Sequence, residues 1–193
     1  MLKISERFCG HESNEHSPDS IDLIMSDVKL IKASPFQDIR GIFEPTWDSE
    51  QFEAYNIKFT PTSHAFSHNR NKGTLRGMHY QLFPFGQSKL VSCSNGRILD
   101  VVVDLRPKSP SYLRWSSTVL WAGSGLAIYV PIGFAHGFQT LTDNSTVVYL
   151  IEGKYVPEAS AAVRWNDPNI GIRWSISDPI LSERDRLAPD FIF

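Results

Sequence analysis

The sequence predicts an all-β protein, a jelly-roll β-barrel carrying a few short helices. Three observations point there. Apolar and polar residues alternate with a period of two through most of the chain, and the alternating runs are rich in β-branched and aromatic residues. Turn-forming residues separate these runs at spacings of roughly ten residues. Many short strands with few helical patterns between them favour an antiparallel sandwich or barrel. The mouth of such a barrel is where a ligand would sit.

Residues 1–20 are polar, with Gly10, Ser13, Ser17 and Pro18, and read as an N-terminal extension whose His11 and His16 face solvent. Residues 21–193 then form a single domain. DVKLIKA (27–33) is the first alternating run, and Asp48 can cap a short helix through SEQFEAYN. SKLVSCS (88–94) and RILDVVVDLR (97–106) follow, the latter placing Leu99, Val101, Val103 and Leu105 on one face. Ser94-Asn95-Gly96 between them signals a hairpin. STVLW (117–121), LAIYVP (126–131), TVVYLI (146–151) and AAVRW (161–165) are further strands. Pro131-Ile132-Gly133 breaks a strand, and Asn166-Asp167-Pro168-Asn169 with Gly171 makes a tight connection. Ser182 followed by Asp185 fits a short capped helical turn.

Composition narrows the class. The chain has 193 residues, 19 Lys plus Arg against 21 Asp plus Glu, and a formal net charge of −2. A hydrophobic fraction of 41% with 21% charged residues argues against disorder. A nucleic-acid binder would carry a basic excess, which is absent. No apolar run approaches the roughly 20 residues of a membrane span, and the start lacks the apolar centre of a secretory signal. The two cysteines, Cys9 and Cys93, make neither a disulfide framework nor a zinc spacing and read as free thiols of a cytoplasmic protein.

The chemistry-bearing residues fall in two clusters. In Gly73-Thr74-Leu75-Arg76-Gly77-Met78-His79-Tyr80-Gln81, strict alternation puts Arg76 and His79 on opposite faces, unless Gly77 marks a bulge that turns both toward one cavity. In Pro131–Phe138, His136 is flanked by small and aromatic residues and reads as buried, hence in need of a partner. A metal site would want a His-x-His pair with a carboxylate soon after; His79-Tyr80-Gln81 offers neither, so no metal is expected. Asp100 and Asp104 share the strand face opposite Leu99, which could line a cavity or form structural pairs with Arg97 or Arg106, the pairing being the preferred reading. Trp165 and Trp174 read as packing anchors.

With both clusters in hand, the chain resembles the dTDP-4-dehydrorhamnose 3,5-epimerase family of cupin-type nucleotide-sugar epimerases. The resemblance runs from about residue 27 to about residue 187 and rests on a set of motifs in order: FxDxRGxF (Phe36, Asp38, Arg40, Gly41, Phe43), GTLRGMHYQ, KLV followed by GRILDVVVDLRPKSPSY, VPIGFAHGF, and WNDPNIGIRW followed by LSERD. It implies a cupin-type jelly roll and an isomerase of deoxysugar biosynthesis, working without a cofactor on carbons next to a 4-keto group, C3 or C5 or both. It implies His79 as general base, Tyr149 as proton donor on the opposite face, Lys89 beside the keto oxygen and Asp185 as the acid paired with the base. Arg76, His136, Arg40, Phe36, Phe43, His64, Phe66 and Tyr155 match substrate-contacting positions. A homodimer is implied as well, with the Phe36–Phe43 segment near the neighbouring site.

The implied roles are chemically coherent. Epimerisation beside a ketone passes through an enolate, so a base on one face and an acid on the other are needed, or the proton returns where it began. An imidazole near pKa 6.5 suits the base, a paired carboxylate fixes its tautomer, and an ammonium beside the oxygen acts where charge develops. Two positions depart from the family pattern. The family Glu two places after the second Phe is Pro45 here, with Glu44 one place early, and the Gln and Asn ahead of the base motif are His64 and Phe66. Both departures concern nucleotide and sugar contacts rather than proton transfer. A ketoisomerase, a single-carbon epimerase, a non-catalytic nucleotide-sugar binder and a metal-dependent oxygenase are the competing readings.

Overall fold

A computed structural model of the chain describes residues 3–4, 25, 27–33 and 35–192. The strands are β1 (Lys3–Ile4), β2 (Lys29–Lys32), β3 (Phe36–Asp38), β4 (Gly41–Phe43), β5 (Ser63–Asn69), β6 (Leu75–Gln81), β7 (Ser88–Asn95), β8 (Arg97–Asp104), β9 (Trp115–Trp121), β10 (Leu126–Val130), β11 (Phe134–Thr140), β12 (Ser145–Glu152) and β13 (Ser160–Ala162). Two short helices, α1 (Ser49–Ala54) and α2 (Glu183–Arg186), complete the described elements with a 3-10 turn at Pro157–Ala159.

Two antiparallel sheets face each other. One has the order β1-β2-β10-β7-β12-β5 and the other β13-β6-β11-β8-β9; β3 and β4 form a separate hairpin. The all-β jelly-roll expectation therefore holds. Side chains of Val91, Cys93, Ile98, Val102, Phe138 and Val147 fill the space between the sheets. The expected face of Leu99, Val101 and Val103 points the other way and is covered by Val163, Ile170 and Trp174 of the C-terminal segment. On the far side of the six-stranded sheet, Phe52 of α1 and Phe59 pack on Ile31 and Leu90. Each such fully buried side chain contributes about 1.5–3 kcal/mol.

Several expectations change in detail. Asn95-Gly96 is not a hairpin: β7 pairs with β10 and β12, β8 pairs with β11 and β9, and the turn carries the chain from one sheet to the other. Gly96 has φ +75, which suits a tight corner as well as a hairpin. The 161–165 run is a strand only as far as Ala162. Strands β6 and β11 fall within the two chemical clusters, and β5 is a polar run without an apolar face to announce it. Of the expected N-terminal extension, only Lys3 and Ile4 are described, and they pair with β2; Cys9, His11 and His16 lie outside the described residues. Cys93 is a buried free thiol, and burial pushes its pKa up to about 11. No helix among the described residues is long and apolar enough to cross a membrane.

Candidate active site

A cavity of about 460 Å³ opens between the sheets, lined by Ala65, Phe66, Ser67, His68, Arg76, His79, Gln87, Lys89, His136, Tyr149 and Ile151. Five of the residues singled out from the sequence divide between the two sheets. His79 and Arg76 lie on β6 and His136 on β11, in the five-stranded sheet. Lys89 lies on β7 and Tyr149 on the adjacent β12, in the six-stranded sheet. The cavity thus has a wall of imidazoles and a guanidinium facing a wall with an amine and a phenol.

The three-residue gap between Arg76 and His79 is resolved by an irregularity at Gly77. β6 pairs with β11 through His79↔His136 and Arg76↔Phe138, so two steps on β11 span three on β6. Gly77 has φ +136, and a Cβ there would fall 2.6 Å from the Gly137 Cα. The bulge needs two facing glycines, and in exchange both polar side chains reach the cavity.

His79 Nε2 meets Asp185 Oδ1 at 2.6 Å. The Asp185 side chain is 4% exposed, that of His79 36%. Ser182 Oγ caps α2 by accepting the Asp185 N–H at 3.1 Å. The two rival readings of Asp185 are therefore both realised: its backbone completes the cap while its carboxylate reaches His79. Burial alone would raise the Asp185 pKa; the His79 bond and charge, the Ser182 hydroxyl and the Gly77 N–H outweigh it and hold the carboxyl below its ordinary range.

On the opposite wall, burial lowers the Lys89 pKa to about 8, partly offset by the charge of Asp100. Burial, with Asp100 adding to it and Arg76 opposing it, raises the Tyr149 phenol well above its ordinary value. The Tyr149 ring stands edge-on to His136, centroids 5.9 Å apart at 83°. Arg76 Nε donates to Asn69 Oδ1 at 2.9 Å. Among the described residues there is no group of three or more His, Cys, Asp or Glu that could hold a metal ion.

Of the remaining expected contacts, Phe66 lines this cavity, with His64 at 4.7 Å and His68 at 6.0 Å between ring centroids. His64 and Phe43 line a separate hollow of about 430 Å³ with Glu44, Pro45, Trp47 and Leu90. Phe36, Phe43 and Arg40 lie on the exposed β3–β4 hairpin, where Arg40 pairs with Asp38. Tyr155 is exposed in the loop after β12.

For Asp100 the preferred arginine partner is not what the structure shows: its Oδ2 meets His136 Nε2 at 2.8 Å. A signal was available: ILDVVVD is apolar on both faces, so neither face is solvent and a carboxylate within it must be buried. Asp104 does pair with Arg106, as expected, and Trp174 Nε1 donates to the Trp165 carbonyl at 2.8 Å, as befits packing anchors.

Comparison with known proteins points to one family. A family model described as dTDP-4-dehydrorhamnose 3,5-epimerase matches residues 22–192. A curated dTDP-4-dehydrorhamnose 3,5-epimerase from Sinorhizobium fredii is 38% identical over 168 residues, covering 86% of each chain. The crystal structure of the dTDP-4-dehydrorhamnose 3,5-epimerase of Elizabethkingia anophelis superposes with a TM-score of 0.85 at 32% identity, covering 98% of this chain and 96% of that one. The dTDP-6-deoxy-D-glucose-3,5-epimerase of Legionella pneumophila, in complex with dTDP-4-keto-L-rhamnose, matches with a TM-score of 0.85 at 29% identity, over 98% of this chain and 93% of that one.

Proposed function

The chain belongs to the dTDP-4-dehydrorhamnose 3,5-epimerase family, and from that premise we propose that it is an isomerase of deoxysugar biosynthesis, inverting C3, C5 or both beside the 4-keto group of a nucleotide-linked 4-keto-6-deoxyhexose. The observation that carries this reading is the placement of His79 and Tyr149 on opposite walls of one cavity with Lys89 beside Tyr149. A sugar ring between the sheets would present one face to each.

In this reading His79 takes the proton from carbon through Nδ1, the ring nitrogen not engaged with Asp185. Asp185 stabilises the imidazolium that forms. The C–H electron pair becomes the enolate double bond and the carbonyl pair moves to oxygen, where the Lys89 ammonium stabilises it. Tyr149 keeps its proton throughout the neutral range and delivers it to carbon from the other face; solvent then restores the phenol. Arg76 is the cation available for the substrate's phosphates. No redox cofactor is required, because the ketone itself acidifies the bond.

The dimer and the compartment belong to the same reading. The β3–β4 hairpin exposes Phe36, Ile42 and Phe43 and carries Arg40, which suits a contact with a second copy near that copy's cavity. A buried free thiol at Cys93 suits a reducing cytoplasm. Light scattering should report a dimer. For the activity, the protein is mixed with dTDP-, CDP-, GDP- and UDP-linked 4-keto-6-deoxyhexoses and the products are resolved by NMR. Epimerised product with the dTDP sugar is expected; unchanged substrate across the whole series would reject the activity.

A further inference from the structure

Strand β5 is the last strand of the six-stranded sheet and pairs with β12 alone among the described strands. Its alternate residues His64, Phe66 and His68 share one face, with Leu150, Val148 and Thr146 of β12 as their cross-strand partners. Edge strands are commonly guarded by charged side chains. This one carries a row of three aromatic rings instead. The Phe66 ring lies 4.7 Å from that of His64 and 6.0 Å from that of His68, and it is parallel to the latter within 1°. His68 Nδ1 meets Thr146 Oγ1 at 3.1 Å, which fixes that end of the row. Phe66 nevertheless stays 56% exposed. A lone exposed phenylalanine needs no explanation. A phenyl held between two imidazoles at the rim of a cavity is a built surface.

Continuity with the cavity says what covers it. Phe66 and His68 line the cavity of His79 and Tyr149, whereas His64 lines the separate hollow, so the row leads from the one toward the other. A nucleotide sugar is a sugar, a diphosphate and a base joined in that order. With the sugar between His79 and Tyr149 and the phosphates at Arg76, the base is the part left to meet the row. Resting on the epimerase reading for the identity of the ligand, we infer that Phe66 is a specificity-determining residue whose ring stacks on the base of the nucleotide sugar, so that the site takes up pyrimidine and purine nucleotides alike. Every base has a π face, and stacking on an aromatic side chain is tolerant of base identity for that reason. A phenyl ring has no hydrogen bond to give or accept. The Asn of the family pattern would offer donors and an acceptor at this position and could select a base by its edge. Beside Phe66, the His64 imidazole carries one donor and one acceptor that exchange places with the tautomer, so it suits a keto edge and an amino edge equally.

The test is calorimetric titration of the protein with dTDP, UDP, CDP and GDP, none of which turns over. The wild type should bind all four with dissociation constants within about tenfold of one another. Phe66→Ala should weaken all four by similar factors, about 5- to 150-fold, and Phe66→Trp should hold or tighten them. Inorganic pyrophosphate, which has no base, should bind wild type and Phe66→Ala alike. A wild type that prefers one base by about 100-fold or more reads edges by hydrogen bonds and would overturn the inference without any variant. So would Phe66→Ala that binds the four as tightly as wild type, or that loses pyrophosphate in the same proportion. The readout needs no turnover. A protein that binds all four nucleotides yet inverts none of their 4-keto sugars would reject the epimerase reading and leave the stacking result standing. Inversion of a dTDP sugar by a protein that excludes GDP would do the reverse.

Discussion

Asp100 and Asp104 lie four residues apart on the same face of β8, about 13 Å along the strand, and both are fully buried. Their surroundings differ completely. Asp104 accepts from the Arg106 backbone N–H at 3.0 Å and side-chain Nε at 2.8 Å, from Arg106 Nη2 at 2.7 Å, and from Ser109 and Ser111 hydroxyls at 2.5 and 2.6 Å. Burial would raise its pKa, but these bonds outweigh it and hold the carboxyl well below the usual range. Asp100 has one imidazole and an empty oxygen. A saturated carboxylate ties a loop to a strand. An unsaturated one, behind a cavity wall, holds an imidazole that lines the cavity.

The comparison breaks most clearly at the base. His79→Ala should lower turnover by about 100- to 10,000-fold, the range of a general base, with a stability loss of about 1–3 kcal/mol because the buried Asp185 carboxylate loses its partner. Asp100→Asn comes next. Without its carboxyl partner the His136 ring, which lines the cavity, loses its fixed orientation, so turnover should fall by about 10- to 100-fold. An unchanged rate in a folded variant would make Asp100 a purely structural residue, like Asp104.

Asp104→Ala should do the converse: unchanged kcat at low temperature and a stability loss of about 3 kcal/mol, measured by urea unfolding. Because the folded-state pKa of Asp104 is depressed, its contribution is present above the unfolded value near 3.9 and is lost as pH falls through the lower folded value. The smallest effect is expected at Ser182→Ala. Removing the cap of α2 should cost about 1 kcal/mol, and a modest drop in turnover should accompany it because the same turn carries Asp185.

Much of this was legible in the sequence, and the exceptions have physical reasons. Runs such as LAIYVP and TVVYLI announce strands because one face is apolar and β-branched residues suit the pleat. Strands β6 and β11 were harder: Gly77 and Gly137 break the alternation, and the bulge that brings Arg76 and His79 together depends on a pairing that sequence spacing does not encode. Asn95-Gly96 has the residues of a hairpin turn, but local chemistry cannot say which sheet the next strand joins. The clustering of His79, Lys89, Tyr149 and Asp185 followed from the family resemblance rather than from spacing. For Asp100 an arginine is the nearer partner in sequence, whereas the His136 it meets is 36 residues away and is brought to it by the pairing of β8 with β11. Arg40 and Phe36 stay on an exposed hairpin, and Phe43 at its end reaches the hollow of His64 rather than the cavity of His79.

The central claim is that protons leave and return through opposite walls of one cavity. Deuterium incorporation from D2O, followed together with epimerisation in wild type, Tyr149→Phe and His79→Ala, tests it most directly. The wild type should exchange and invert; Tyr149→Phe should still exchange but return deuterium to the original face without inversion; His79→Ala should do neither. Tyr149→Phe inverting at the wild-type rate, or His79→Ala exchanging as fast as wild type, would contradict the two-wall account.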